Sequence, residues 1–163
     1  MKKVLLFLLL FTATGKSFAQ LKATPLCPPM RVNVMEGNVN DIQPNYTPGQ
    51  IEKTFPCFSS KETESDTAKC GGMISYQDKG IYFYTGRDYI EIRENYNGKM
   101  SLPLMGASRS SLFQWLGYPK IKDISWDAFQ TAYGTLITYY NAANKIVKLQ
   151  ITTKSTETLK LCD

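Results

Sequence analysis

The chain has 163 residues, 43% of them hydrophobic and 20% charged, which places it with single-domain globular proteins and outside the disordered class. Its formal charge of +5 falls to +2 (16 basic against 14 acidic side chains) once Lys2, Lys3 and Lys16 are set aside with an N-terminal leader, leaving no basic footprint for nucleic acid. No histidine is present, which excludes Ser-His-Asp and Cys-His catalysis, imidazole metal ligation and a histidine pH switch.

Residues 1–19 read as a signal peptide. Lys2 and Lys3 precede an unbroken apolar run at 4–11, and Ser17-Phe18-Ala19 places small residues for cleavage after Ala19. The run is far short of the ~20 residues of a membrane-spanning helix. The expected product is a protein of residues 20–163, periplasmic or secreted, with no stable membrane insertion. Residues 20–46, with Pro25, Pro28 and Pro29, read as an irregular N-terminal segment. The main domain is expected to span 47–163.

Thr47-Pro48 opens a short helix, with a hydroxyl cap and proline at the first helical position, and Phe55-Pro56 ends it. A polar loop carrying Glu62, Glu64 and Asp66 follows; it reads as a solvated loop more readily than as a metal site, which needs denser ligand spacing. Strands are expected at 72–76, 81–85 and 89–94. Ser110 then caps a second short helix closed by Tyr118-Pro119, and strands are expected at 134–140 and 146–152. Asp123 and Asp127 fall in a loop flanking Trp126. The strands alternate, with Ile81, Phe83, Ile90, Ile92, Val147, Leu149 and Ile151 facing inward. Ile51, Leu112, Trp115 and Leu116 are expected to cover that face. The fold expected is α+β: a twisted antiparallel sheet with short helices on one side, built from two similar units at about 47–94 and 108–153.

In each unit a short helix, an aromatic-Pro stop, a polar connection, a Gly-apolar strand, a turn and a strand follow one another. The residues are Phe55-Pro56 with 72–76 and 81–85, then Gly117-Tyr118-Pro119 with 134–140 and 146–152. This unit resembles the β-lactamase-inhibitor-protein-like fold and the similar small unit of outer-membrane assembly lipoproteins of the SmpA/OmlA type. The resemblance implies a non-enzymatic binding protein of the bacterial envelope; inhibitor members use an aromatic-rich open sheet face to grip an enzyme. The chain departs from the assembly lipoproteins in lacking a lipobox cysteine.

Four cysteines in an exported chain imply two disulfides. Three pairings exist; spacing favours Cys57–Cys70, closing the polar loop, which leaves Cys27–Cys162. The binding candidates are Tyr82, Tyr84, Tyr89, Glu91 and Arg93, on one strand face, because Tyr and Arg combine contact area with polar tips. The same tyrosines would equally serve to cover the sheet through cross-strand pairing. No catalytic residue, metal or cofactor is expected. Ser108-Arg109-Ser110-Ser111, a loop before a helix, reads as capping more readily than as an anion site. The partner expected is a protein, such as an envelope or secreted hydrolase, met by an inhibitor or immunity-type protein. The alternatives are a structural or assembly factor of the envelope and, behind it, a carboxylate-dependent hydrolase.

Overall fold

The structure, a computed structural model, describes residues 26–63, 65 and 70–161. The leader and its cleavage position lie outside the described residues, as do Glu64, Asp66 and Cys162. In chain order the elements are β1 (Arg31–Asn33), β2 (Asn38–Val39), α1 (Pro48–Thr54), β3 (Ser60–Glu62), β4 (Met73–Tyr76), β5 (Ile81–Tyr84), β6 (Tyr89–Arg93) and β7 (Lys99–Met100). Then come α2 (Phe113–Leu116), β8 (Ile121–Lys122), β9 (Trp126–Gln130), β10 (Thr135–Tyr140) and β11 (Ile146–Thr152).

Eight strands form one antiparallel sheet in the order β3-β4-β5-β6-β11-β10-β9-β8. Each half is a short helix followed by a four-strand meander, and the halves meet where β6 pairs with β11, Ile92 opposite Leu149 and Ile90 opposite Ile151. The α+β class and the helices on one face are as the sequence predicts. The strand correspondence differs by one. By order in the meander β4 matches β9 and β5 matches β10, whereas the sequence pattern aligns 72–76 with 134–140. The missed element is β9. Its Asp127 gives it a loop-like appearance, yet the residue is buried in the ladder opposite Thr138.

Alternation puts Ile74, Tyr76, Ile81, Phe83, Ile90, Ile92, Leu149, Ile151, Leu136 and Phe129 on the inner face, all buried. Thr47 starts α1, where the Gln50 side chain accepts a bond from the Thr47 N–H at 2.9 Å. Seven residues suffice to bring Ile51 and Phe55 onto this face. Phe55, Tyr76 and Phe83 form an aromatic cluster with centroids 5.8–6.2 Å apart, and the Tyr76 hydroxyl donates to the Phe55 carbonyl at 2.6 Å. Burying an Ile or Phe side chain of this kind contributes about 1.5–3 kcal/mol. Gly134, at φ 144°, lets the β9–β10 turn cross the Thr152 carbonyl, where any Cβ would lie 2.3 Å from that oxygen.

Three expectations need correction. The segment 26–46, read as irregular, carries β1 and β2, which form a small sheet with β7 and insert Met30, Val32, Val34, Val39 and Ile42 into the core. Trp115 does not cover the inner face. The second helical stretch is a 3-10 turn at Arg109–Ser111 running into the single-turn α2, which buries Leu112 and half-buries Leu116 but leaves Trp115 36% exposed. The disulfide joins Cys27 to Cys57, with Cα atoms 5.4 Å apart, in place of Cys57–Cys70 and Cys27–Cys162. The reason is hairpin register: Ser60 lies opposite Ser75 and Glu62 opposite Met73. Cys57 therefore falls at the end of the hairpin beside the turn Gln77–Lys79, and Cys70 at the other end. Cys70 is half-buried and forms no disulfide among the described residues.

Candidate functional site

The register assigns one outer face to Tyr82, Tyr84, Tyr89, Glu91 and Arg93, as the alternation predicts. Tyr82 stands opposite Glu91, and Tyr84 opposite Tyr89. Across the seam, β11 and β10 add Lys148 opposite Arg93, Gln150 opposite Glu91, and Tyr139 opposite Lys148; β9 adds Trp126 opposite Tyr139.

Two regions divide this face. Over one, the C-terminal segment 153–161 crosses the strands. The Tyr89 hydroxyl donates to the Lys160 carbonyl at 2.9 Å, the Thr135 hydroxyl donates to the Lys154 carbonyl at 2.7 Å, and Leu159 and Leu161 pack near Tyr89, Ala128 and Ile137. Tyr89 is thereby buried and serves as a floor for the segment. The covering role considered for the tyrosines holds for this residue.

The other region is a bonded array. Arg93 Nε donates to Glu91 Oε1 at 2.6 Å, and the guanidinium lies 3.8 Å from the Tyr82 ring centroid. Gln150 Nε2 donates to Glu91 Oε2 at 2.8 Å, and the Tyr139 hydroxyl donates to Gln150 Oε1 at 2.9 Å. Lys148 Nζ lies 3.9 Å from the Tyr139 ring centroid and 3.8 Å from Glu91 Oε2. Glu91 and Gln150 are buried beneath these side chains. The single carboxylate is thus shared by two cations, each stacked on a tyrosine, and the array keeps a positive excess.

Burial works against the Arg93 charge, but the Glu91 carboxylate outweighs it and the guanidinium is held more firmly protonated. Burial, with Glu91 next, pushes the Tyr84 phenol up to about 12. The solvent-facing members are Arg93, exposed, with Tyr84, Tyr139, Lys148 and Trp126 half-exposed. Of these, the sequence singles out Tyr84 and Arg93. Lys148 falls on the polar side of its predicted strand; recognising it needs the β6–β11 pairing, which joins residues more than fifty apart.

A second polar cluster sits on the inner face. Asp127, buried, accepts two bonds from Arg109, Nε to Oδ2 at 2.9 Å and Nη2 to Oδ1, and one from the Tyr140 hydroxyl at 2.8 Å. Arg109 also donates to the carbonyls of Ile124 and Asp123, at 3.1 and 2.6 Å. Its bond to Asp127 raises its affinity for the proton. In the loop of Ser108–Ser111, Ser111 Oγ donates to the Ser108 carbonyl at 2.7 Å, but no side chain caps either short helix there, so the capping expected of this loop and of Ser110 is not found. Glu91 and Asp127 are the buried carboxylates among the described residues, and they point to opposite faces of the sheet.

No family model matches the chain, and the search of curated proteins and the search of solved structures likewise find no match. Among the described residues, no helix is long and apolar enough to cross a membrane.

Proposed function

We propose that this chain is an exported bacterial binding protein, without catalytic activity of its own, that holds a partner enzyme against the outer face of its eight-stranded sheet as an inhibitor or immunity-type protein. The observation that carries this reading is the array of Tyr82, Glu91, Arg93, Lys148, Gln150 and Tyr139. These side chains are fixed by mutual bonds before any partner arrives, so little rotamer freedom remains to be lost on association. Tyr and Arg are the residue types that dominate interface energetics. The positive excess fits a partner with an acidic patch, and electrostatic complementarity of this kind speeds encounter. Two further features agree. The Cys27–Cys57 disulfide fits an oxidising compartment outside the cytoplasm. The separation of Glu91 and Asp127 onto opposite faces leaves them unable to act across one cleft, as paired-carboxylate hydrolysis demands.

The test is affinity purification from envelope extract and medium of the producing cells, with wild-type protein and with Tyr84→Ala/Arg93→Ala/Lys148→Ala as baits. The variant also carries Glu91→Gln, so that no carboxylate is left buried without its cations, and its urea unfolding is measured beside the wild type. The expected result is one stoichiometric enzyme on the wild-type bait, inhibited by added wild-type protein and absent from the variant. The same proteins on both baits would defeat the assignment of this face.

A further inference from the structure

The opposite side of the sheet holds a second feature that the proposed function does not use. Near α2, the edge strand β8 and its neighbour β9 lies a cleft of about 590 Å³, within the 300–1,000 Å³ range usual for ligand sites. One wall is aromatic. Phe113 is 56% exposed and Tyr118 83% exposed, with ring centroids 4.6 Å apart. Two large rings left side by side in water, next to the buried Leu112, form a patch that core packing does not explain.

The backbone is set to produce that patch. Gly117 has φ 70° and ψ −151°, a region essentially restricted to glycine. A Cβ there would meet nothing within 4 Å, so the glycine serves the backbone angle and not a close approach. That angle ends α2 and turns the chain so that Tyr118 stands beside Phe113, and Pro119 follows at once. Unusual backbone of this kind concentrates at functional positions.

The rest of the lining is largely polar and includes Lys122. It carries the hydroxyls of Ser108 and Ser110, 3.3 Å apart, and Asn144. Arg109 at the base is committed: its guanidinium is bonded to Asp127 and to two carbonyls, and Asp127 balances its charge. Exposed aromatic rings that share one cleft with hydroxyl and amide groups match a molecule that is itself apolar on one face and hydroxylated around its rim. A pyranose ring has that form. We propose that this cleft binds a sugar unit of a glycan, stacked on Phe113 and Tyr118 and hydrogen-bonded by Ser108, Ser110 and Asn144. Strand addition by a peptide is poorly served here, because the edge strand β8 spans two residues.

The test is calorimetric titration of the protein with hexasaccharides of β-1,4-linked glucose, β-1,4-linked N-acetylglucosamine and α-1,4-linked glucose, and with a proline-rich decapeptide as the rival ligand. Saturable binding of at least one hexasaccharide is expected, weakened tenfold or more by Tyr118→Ala and by Phe113→Ala. Both rings are exposed, so both variants should keep the wild-type unfolding midpoint. Arg93→Ala, on the other face, should bind sugar as wild type does, whatever becomes of the enzyme partner. No binding of any of the three sugars, equal binding by Tyr118→Ala, or binding of the peptide alone would overturn the proposal.

Discussion

Replacing Arg109 by Met removes the guanidinium and keeps most of the side chain's length. Wild-type Arg109 gives Asp127 two charge-assisted bonds and ties down the carbonyls of Asp123 and Ile124. In the variant the buried carboxylate keeps only the neutral Tyr140 hydroxyl at 2.8 Å. Side-chain exposures of 17% for Arg109 and 4% for Asp127 separate this pair from surface ion pairs, which contribute about 0–1 kcal/mol. Orphaning a buried charge costs about 3–5 kcal/mol. Against a total stability of about 5–15 kcal/mol that loss is large, and it corresponds to a midpoint drop of roughly 6–20 °C for a chain of this size. Asp127→Leu is then added in the Arg109→Met background. It removes the stranded charge, and the Tyr140 hydroxyl still has Thr138 Oγ1 at 2.6 Å. The double variant should therefore regain most of the loss, since apolar replacement of a whole buried pair is often neutral. Urea unfolding of the three proteins at pH 7 supplies the free energies. A cost below about 1 kcal/mol for Arg109→Met, or a double variant no more stable than the single, would refute the claim that the pair is buried and mutually dependent.

Non-reducing peptide mapping should recover a Cys27–Cys57 linked fragment; a Cys57–Cys70 fragment would contradict the hairpin register. Cys27→Ala/Cys57→Ala should lose about 3–4 kcal/mol on the chain-entropy estimate for a separation of 30 residues. Tyr84 predicts an alkaline limit. Its phenol titrates at about 12 in the folded protein, above its ordinary value of 10.0, so its neutral form favours folding. That contribution is whole below pH 10 and is lost as pH rises through about 12. Tyr84→Phe should flatten this part of the curve of unfolding midpoint against pH, and an unchanged curve would mean that Tyr84 ionises freely.

The alternation in β5, β6 and β11 was legible because period-two patterning depends on local residues alone. Ile81, Phe83, Ile90, Ile92, Leu149 and Ile151 take the inner face, and Tyr82, Tyr84, Glu91 and Arg93 the outer. What escaped the sequence depends on partners distant along the chain. Asp127 resembles a loop residue until Arg109 and Tyr140 are placed around it. Val32, Val34 and Val39 lie among prolines and asparagines, and their strands exist because β7, more than sixty residues on, pairs with β1. Trp115 carries the hydrophobicity of a core residue, yet it stands 36% exposed while Leu112 and Leu116 pack against the core. The candidate site was half legible for a related reason. Strand β6 supplies Glu91 and Arg93 from a local pattern, while Lys148, Gln150 and Tyr139 join them only through the seam between the halves.

The two margins of the large sheet have a bearing on how the protein meets other molecules. Strand β3 offers three residues and β8 two, with Lys61 and Lys122 among them. Such short, charged borders give an incoming chain too few main-chain donors and acceptors to extend the ladder, and they guard the protein against edge-to-edge aggregation. Recognition must then be carried by side chains standing on the faces. Specificity is thus free to change by substitution at a few surface positions while the hydrogen-bonded framework beneath stays as it is.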